Sequence, residues 1–186
     1  MLAIELIRLW VETSGLDLHE NMLEGSGAVF SPCGTYRYLL WRNAFGSAPL
    51  LGFGMLNPST ADHREDDPTI RRCLRWARET RPTPSGLLVW NLFALRATDP
   101  GELIGHPDPV GPKNNEAMLL VLGFTDLTIA AWGTNGSFGH RDRAVLRHCA
   151  AQGSKLHALK LTKEGHPGHP LYLPKSAAPF AWDFDF

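Results

Sequence analysis

Four short strand-like segments, the first three mainly apolar and each leading to a polar or glycine residue, constrain this chain more than any other feature of it. They are Leu50 to Met55, Gly86 to Leu92, Leu127 to Trp132 and Lys155 to Leu161. A run that is apolar throughout suits a strand buried on both faces, as in a parallel sheet covered by crossover helices. The segments between the runs have helical spacing. Asp66-Asp67-Pro68 opens a helix through about Thr80, with Ile70, Cys73, Leu74 and Ala77 on one face, and its acidic start complements the helix dipole. Further helices are predicted from about Lys113 to Leu122 and from His140 to Gln152.

The flanks read differently. Leu2 to about Thr13 suits a short amphipathic helix ended by Gly15, and Ala28–Ser31 with Tyr36–Arg42 reads as a hairpin at the sheet edge. The proline- and aromatic-rich tail to Phe186 reads as coil packed across the surface. The fold expected is a three-layer α/β/α domain with a mainly parallel central sheet plus an N-terminal edge hairpin, one domain over residues 1–186. In open sheets of this kind ligands bind beyond the carboxyl ends of the strands, which here carry Asn57, Asn91, Gly133 and His169.

Composition narrows the function classes. The formal net charge is −1, so the chain does not coat nucleic acid by charge alone, and any such role needs a local basic face. Three well-separated cysteines, Cys33, Cys73 and Cys149, suggest neither a disulfide framework nor a CxxC metal site. No basic leader precedes an apolar stretch at the start, and nowhere do eighteen apolar residues run together, so the expected location is cytoplasmic, with no membrane partner. The absence of GxGxxG, P-loop and GxSxG patterns disfavours nicotinamide, nucleoside triphosphate and serine-hydrolase chemistry.

Three loops could carry chemistry. Gly54-Met55-Leu56-Asn57-Pro58-Ser59-Thr60 leads from a strand toward a helix N-terminus, where free N–H groups hold phosphate or water. Taken alone it is a turn in which Asn57 and Ser59 satisfy local backbone groups. Asn91 ends a strongly apolar strand and offers a donor and an acceptor on one rigid head, enough to read a base edge; a loop cap explains it as well. In His166-Pro167-Gly168-His169-Pro170 the prolines stiffen the backbone and leave the second imidazole free to donate. The HxxH spacing lacks a cysteine or carboxylate cluster, so neither a metal nor a cofactor is expected.

In order, Gly54-Met55-Leu56-Asn57-Pro58-Ser59, Leu88-Val89-Trp90-Asn91-Leu92, Ile129-Ala130-Ala131-Trp132-Gly133 and His169-Pro170-Leu171-Tyr172 resemble the successive signatures of the uracil-DNA glycosylase superfamily. The resemblance implies a uracil-DNA glycosylase-like fold in which Asn57 holds the attacking water, Asn91 reads the uracil edge and His169 stabilises the departing base. Asn57 matches the mismatch-specific and single-strand-selective branches, and Leu171-Tyr172 stands where a Ser-Pro pair is usual. Residues 26 to 175 also resemble a bacterial and phage family of domains of unknown function, marked by Tyr36-Arg37-Tyr38-Leu39-Leu40-Trp41, Asn57-Pro58-Ser59-Thr60-Ala61-Asp62 and His169-Pro170-Leu171-Tyr172.

The expected activity is hydrolysis of an N-glycosidic bond in DNA, with Asn57 and His169 catalytic and the protein a monomer. Gly54, Met55, Pro58, Ser59 and Asn91 would contact substrate, Phe53 or Phe93 would stack on the base, and Leu171 or Tyr172 would wedge into the helix. Thr60, Arg64, Arg141, Lys163 and Lys175 would meet phosphates. Asn57 cannot accept a proton, so general-base help requires Asp62, Asp66 or Asp67 to fold over the site. The rivals are a non-catalytic nucleic-acid-binding module of the same fold and an N-glycosidase of free nucleosides or nucleotides.

Overall fold

Residues Leu50–Met55 and Gly86–Asn91 are buried along their whole length, and the computed structural model shows what covers them. It describes residues 2–46, 49–79, 86–99, 101–174 and 176–184. The chain runs α1 (Ala3–Ser14), β1 (Asp17–Asn21), β2 (Ser26–Phe30), β3 (Arg37–Arg42), β4 (Leu50–Met55), α2 (Pro68–Glu79) and β5 (Gly86–Asn91). It continues through α3 (Gly101–Gly105), α4 (Asn114–Phe124), β6 (Leu127–Ala130), α5 (Arg141–Ala151), β7 (Leu156–Ala158) and β8 (Phe180–Ala181). Two 3₁₀ segments, Thr134–His140 and Pro170–Tyr172, follow β6 and β7. No helix among the described residues is long and apolar enough to cross a membrane.

The eight strands form one sheet in the order β1-β2-β3-β5-β4-β6-β7-β8. The sheet is mixed, which corrects the expectation of a mainly parallel one. Among the described residues β5/β4, β4/β6 and β6/β7 pair in parallel, while β1/β2, β2/β3, β3/β5 and β7/β8 are antiparallel. Nor is the N-terminal hairpin an edge. β2 and β3 do pair, but β3 continues into the sheet against β5, and the edge is the polar strand β1, Asp-Leu-His-Glu-Asn, whose side chains give no apolar run to read. The tail is not all coil, because Phe180–Ala181 adds the antiparallel strand β8 beside β7.

Side chains alternate across the sheet as strand geometry requires. On one face Leu51, Phe53, Met55, Leu87, Val89 and Ile129 pack with Ile70, Cys73, Trp76 and Ala77 of α2. On the other, Leu88, Trp90, Ala130 and Leu156 pack with residues of α1, α4 and α5. Gly54 lies on that second face. A Cβ there would sit 2.7 Å from Cζ2 of Trp90 and 3.2 Å from Cζ3 of Trp132, so its missing side chain is what admits both indoles. Removing a buried indole such as Trp90 would cost about 3–5 kcal/mol.

The connection from β4 goes to β5 on one side, and the next parallel strand, β6, lies on the other side of β4. Strand order therefore reverses at β4, and the crevice beyond its carboxyl end is where such a sheet accepts a ligand. The antiparallel flank shapes the loop that leaves β4. From β3, Arg37 Nη1 donates to the Ala61 carbonyl, while Arg42 donates to the Asp62 carbonyl and pairs with Asp66 at 2.7 Å. Ser26 of β2 donates to the His63 carbonyl at 3.0 Å. The meander is thus a mould for residues 57–67.

Candidate functional site

At the switch point lies a cleft of about 560 Å³, within the range of about 300–1,000 Å³ usual for small-molecule sites. Asn57 beyond β4, Asn91 at the end of β5, and His169 beyond β7 all line it. Three segments distant in sequence therefore meet in one cavity.

Each is held by backbone. Asn57 Nδ2 donates to the carbonyls of Ala97 at 2.7 Å and Pro58 at 3.1 Å. Two acceptor partners identify that atom as the amide nitrogen and leave Oδ1, an acceptor, for a ligand. Asn91 is 2% exposed and lines the cleft. Its main chain is fixed, because Asn114 Nδ2 donates to the carbonyls of Asn91 at 2.9 Å and Leu92 at 3.0 Å. The result is a buried donor-acceptor head on a rigid strand end, facing the cleft.

His169 is positioned by a return of the chain after β7. Gly168 N–H donates to the Lys160 carbonyl at 2.7 Å and Thr162 N–H to the His166 carbonyl at 2.8 Å, folding the loop back on itself. Gly133, at φ +69° where a side chain would be strained, donates its N–H to the Pro167 carbonyl at 2.8 Å and so ties the end of β6 to the histidine loop. From the other side Arg72 Nη2 of α2 donates to the Leu173 carbonyl at 2.7 Å. His169 Nδ1 accepts the Leu171 N–H at 3.4 Å, so the neutral ring carries its proton on Nε2. Burial holds the imidazole below its ordinary pKa, with Asp67 acting against that shift.

Of the three carboxylates that could cover the site, one lines it. Asp62 Oδ1 accepts the N–H groups of Arg64 and Glu65, and Asp66 is paired with Arg42. Asp67 borders the cleft. It caps α2 by accepting the Ile70 N–H on Oδ1 at 2.8 Å, beside Pro68 at the first helical position, which leaves Oδ2 for the cavity.

Other expected contacts are placed differently. Met55 and Ser59 line the cleft, whereas Pro58 is buried behind it as a backbone partner of Ala97. Phe53 and Phe93, at 0% and 2% exposure, lie outside the lining: Phe53 is in the core beneath α2, and Phe93 packs on Phe138 with centroids 5.7 Å apart. The aromatic rings that border the cleft are Trp132 and Tyr172. Tyr172 is 84% exposed and its ring lies 5.4 Å from that of His169; Leu171 is also exposed but does not line the cleft.

The expected phosphate contacts scatter. Arg141 is tied to the Leu92 carbonyl at 2.9 Å and to Asn115 Oδ1 at 2.7 Å, so it braces the loop after β5. Arg64 and Lys163 are exposed, and Lys175 lies outside the described residues. Thr60 lines a second recess of about 350 Å³ with Thr35 and Arg96, and this recess shares Ser59, Ala97 and Thr98 with the main cleft. His166 and His169 diverge: His166 Nδ1 lies 3.8 Å from Asp142 Oδ2. Among the described residues no group of three or more His, Cys, Asp and Glu could hold a metal.

The residue least visible from sequence is Arg37. It is 3% exposed, lines the cleft, and has no carboxylate within 4.0 Å among the described residues. Burial pulls its guanidinium down to about 10, against the opposing charges of Asp67 and Asp62. The one available signal was an arginine inside the otherwise apolar run Tyr38-Leu39-Leu40-Trp41 and its flank.

No curated protein and no solved structure matches the chain. The profile of a family described as "protein of unknown function (DUF1643)" matches residues 37–171, from Arg37 at the start of β3 through the His169 loop. The chain belongs to this family.

Proposed function

We propose that the chain is an N-glycosidase that removes uracil or a related base from DNA, through a uracil-DNA glycosylase-like fold. The observation that carries the reading is the convergence of Asn57, Asn91 and His169 on one cleft at the strand switch point, the three residues to which the motif resemblance assigns the chemistry. Breaking the bond between C1′ and the base nitrogen sends its electron pair to the base and leaves an oxocarbenium-like sugar. The Nε2–H of His169 stabilises the charge on the base oxygen as it develops. Water held by Asn57 Oδ1 adds at C1′ and gives its proton to Asp67, the carboxylate that borders the cleft.

Asn91 supplies the donor and acceptor for the base edge, and Tyr172 at the rim supplies a ring for stacking. A base must leave its helix to enter, which costs about a few kcal/mol and least at mispaired or single-stranded positions. The adjoining recess with Thr60 and Arg96 suits a flanking phosphate.

A second reading, hydrolysis of free nucleotides, is favoured by the net charge of −1 and by placement of the buried cation inside the cleft. The test is to incubate the protein with end-labelled oligonucleotides carrying uracil, hypoxanthine or a mismatch and with the matching nucleotides. Alkali then reveals abasic sites and chromatography reveals free base. Oligonucleotide product exceeding enzyme in amount supports the first reading, and turnover of nucleotides alone supports the second. Substrate bound but never converted leaves only a binding module.

A further inference from the structure

Arg37 carries more hydrogen-bonding capacity than the fold uses. Among the described residues its guanidinium, with five N–H donors, makes one hydrogen bond, from Nη1 to the Ala61 carbonyl. None of its side-chain nitrogens is both sealed from solvent and unpartnered, so the open donors remain accessible at the cleft, where an anion can dock on the planar fork. The free capacity adjoins the cavity, because Arg37 lines the same cleft as Asn91. The other charged side chains of the lining are Lys160 and Asp67, with His169 held toward its neutral form, so cations exceed anions there. Such a lining selects a ligand with negative charge.

We infer that Arg37 is the anion anchor of the cleft and that the ligand is a nucleotide whose phosphate rests on its guanidinium while its base reaches Asn91. The location of the base rests on the N-glycosidase reading; the phosphate anchor rests on Arg37 alone. A phosphate of this kind belongs either to a free nucleotide or to the backbone of a strand. A carboxylate or sulfate would offer similar charge, but the cleft volume and the carboxamide of Asn91 suit a phosphate joined to a planar, hydrogen-bonding ring. Arg37 also ties down the loop that carries Asn57, so an occupied fork would steady the catalytic loop.

Binding is measured by calorimetry on the full chain at constant ionic strength. The ligands are uridine, uridine 5′-monophosphate, and a short uracil oligonucleotide with either a normal or a neutral methylphosphonate linkage beside the uracil. Uridine monophosphate is expected to bind at least about tenfold more tightly than uridine, with inorganic phosphate competing, if the source is free nucleotide. If the source is a strand, the methylphosphonate is expected to lose about tenfold against the normal linkage. In folded Arg37→Gln the advantage disappears. In Arg147→Ala, an exposed arginine outside the cleft lining, it is retained.

Should Arg37→Gln not fold, Arg37→Lys keeps the charge, loses the fork and is expected to lose most of the discrimination. A phosphate-dependent shift of the Arg37 Nε–H resonance reads the same contact in the unmodified protein. Equal binding of charged and neutral partners in both pairs, or full discrimination in a folded Arg37 variant, overturns the inference. Phosphate discrimination without base release would keep the anchor and remove the N-glycosidase reading, and base release without discrimination would do the reverse.

Discussion

Asn57 donates from Nδ2 to the carbonyl of Ala97 at 2.7 Å, a contact that joins residues 40 apart in sequence and commits the nitrogen of an amide that lines the cleft. A second carbonyl, that of Pro58, faces the same nitrogen. Asn57→Asp, which would supply a general base in principle, is therefore expected to fail. The introduced carboxylate would set an oxygen against two carbonyls and cost about 2–4 kcal/mol in lost and unmatched hydrogen bonds. Urea unfolding checks this, and a smaller deficit at acid pH is expected because the protonated carboxyl can again donate.

His169 gives a pH signature. Burial holds its pKa below the ordinary value, so the unfolded chain binds more protons than the folded one between the two values. Stability is then full above about pH 6.5 and falls as pH drops through the lowered folded value. His63 and His157 are shifted the same way by burial and add to the slope. His169→Gln should flatten the loss of melting temperature between pH 7 and pH 5 without abolishing it. An unchanged slope would mean that the ring is not held neutral.

Gly54 has a packing role beside the site. Gly54→Ala would drive a methyl into Trp90 and Trp132, at a cost of about 1–3 kcal/mol, and displace the indole that walls the cleft. Lower thermal stability and an altered Trp emission spectrum are expected together.

Tyr172 separates binding from folding. Because it is 84% exposed, Tyr172→Ala should change unfolding free energy by less than about 0.5 kcal/mol. If its ring stacks on a base, affinity for a uracil oligonucleotide should fall by about 1–3 kcal/mol. Denaturation and binding titrations on one preparation decide it.

Thiol chemistry reports on the fold. Hydrogen bonds to Ser31 and Thr35 lower the exposed Cys33 thiol to about 7. Burial raises Cys149 to about 11 and also raises Cys73. Iodoacetamide at pH 7.5, a value chosen to sit above about 7 and well below 11, should modify Cys33 alone in the native protein and all three cysteines in urea. Intact and peptide mass spectrometry count them.

Asn57 and Asn91 are legible in sequence because each closes an apolar run whose end the sheet topology brings to one crevice, and His169 because prolines flank it in the loop after the last parallel strand. Met55 and Ser59 came with the same segment. Phe53 was not placed, since a strand apolar throughout does not say which face meets which helix, and the structure turns Phe53 under α2. The strand β1 stayed hidden because its five residues are mostly polar and pair only along an edge. Arg37 was hidden for the opposite reason: its neighbours are so apolar that it reads as an interruption of a strand, and its reach to Ala61 exists only after β3 folds beneath the loop.

The most direct measurement is multiple-turnover release of free uracil from a single-stranded oligonucleotide by the unmodified protein and by His169→Ala. The account predicts that released base exceeds enzyme in amount, and that His169→Ala lowers the rate by about a hundredfold, corresponding to roughly 3 kcal/mol of lost transition-state stabilisation. Release no greater than in buffer, or an undiminished rate in the folded variant, would contradict it.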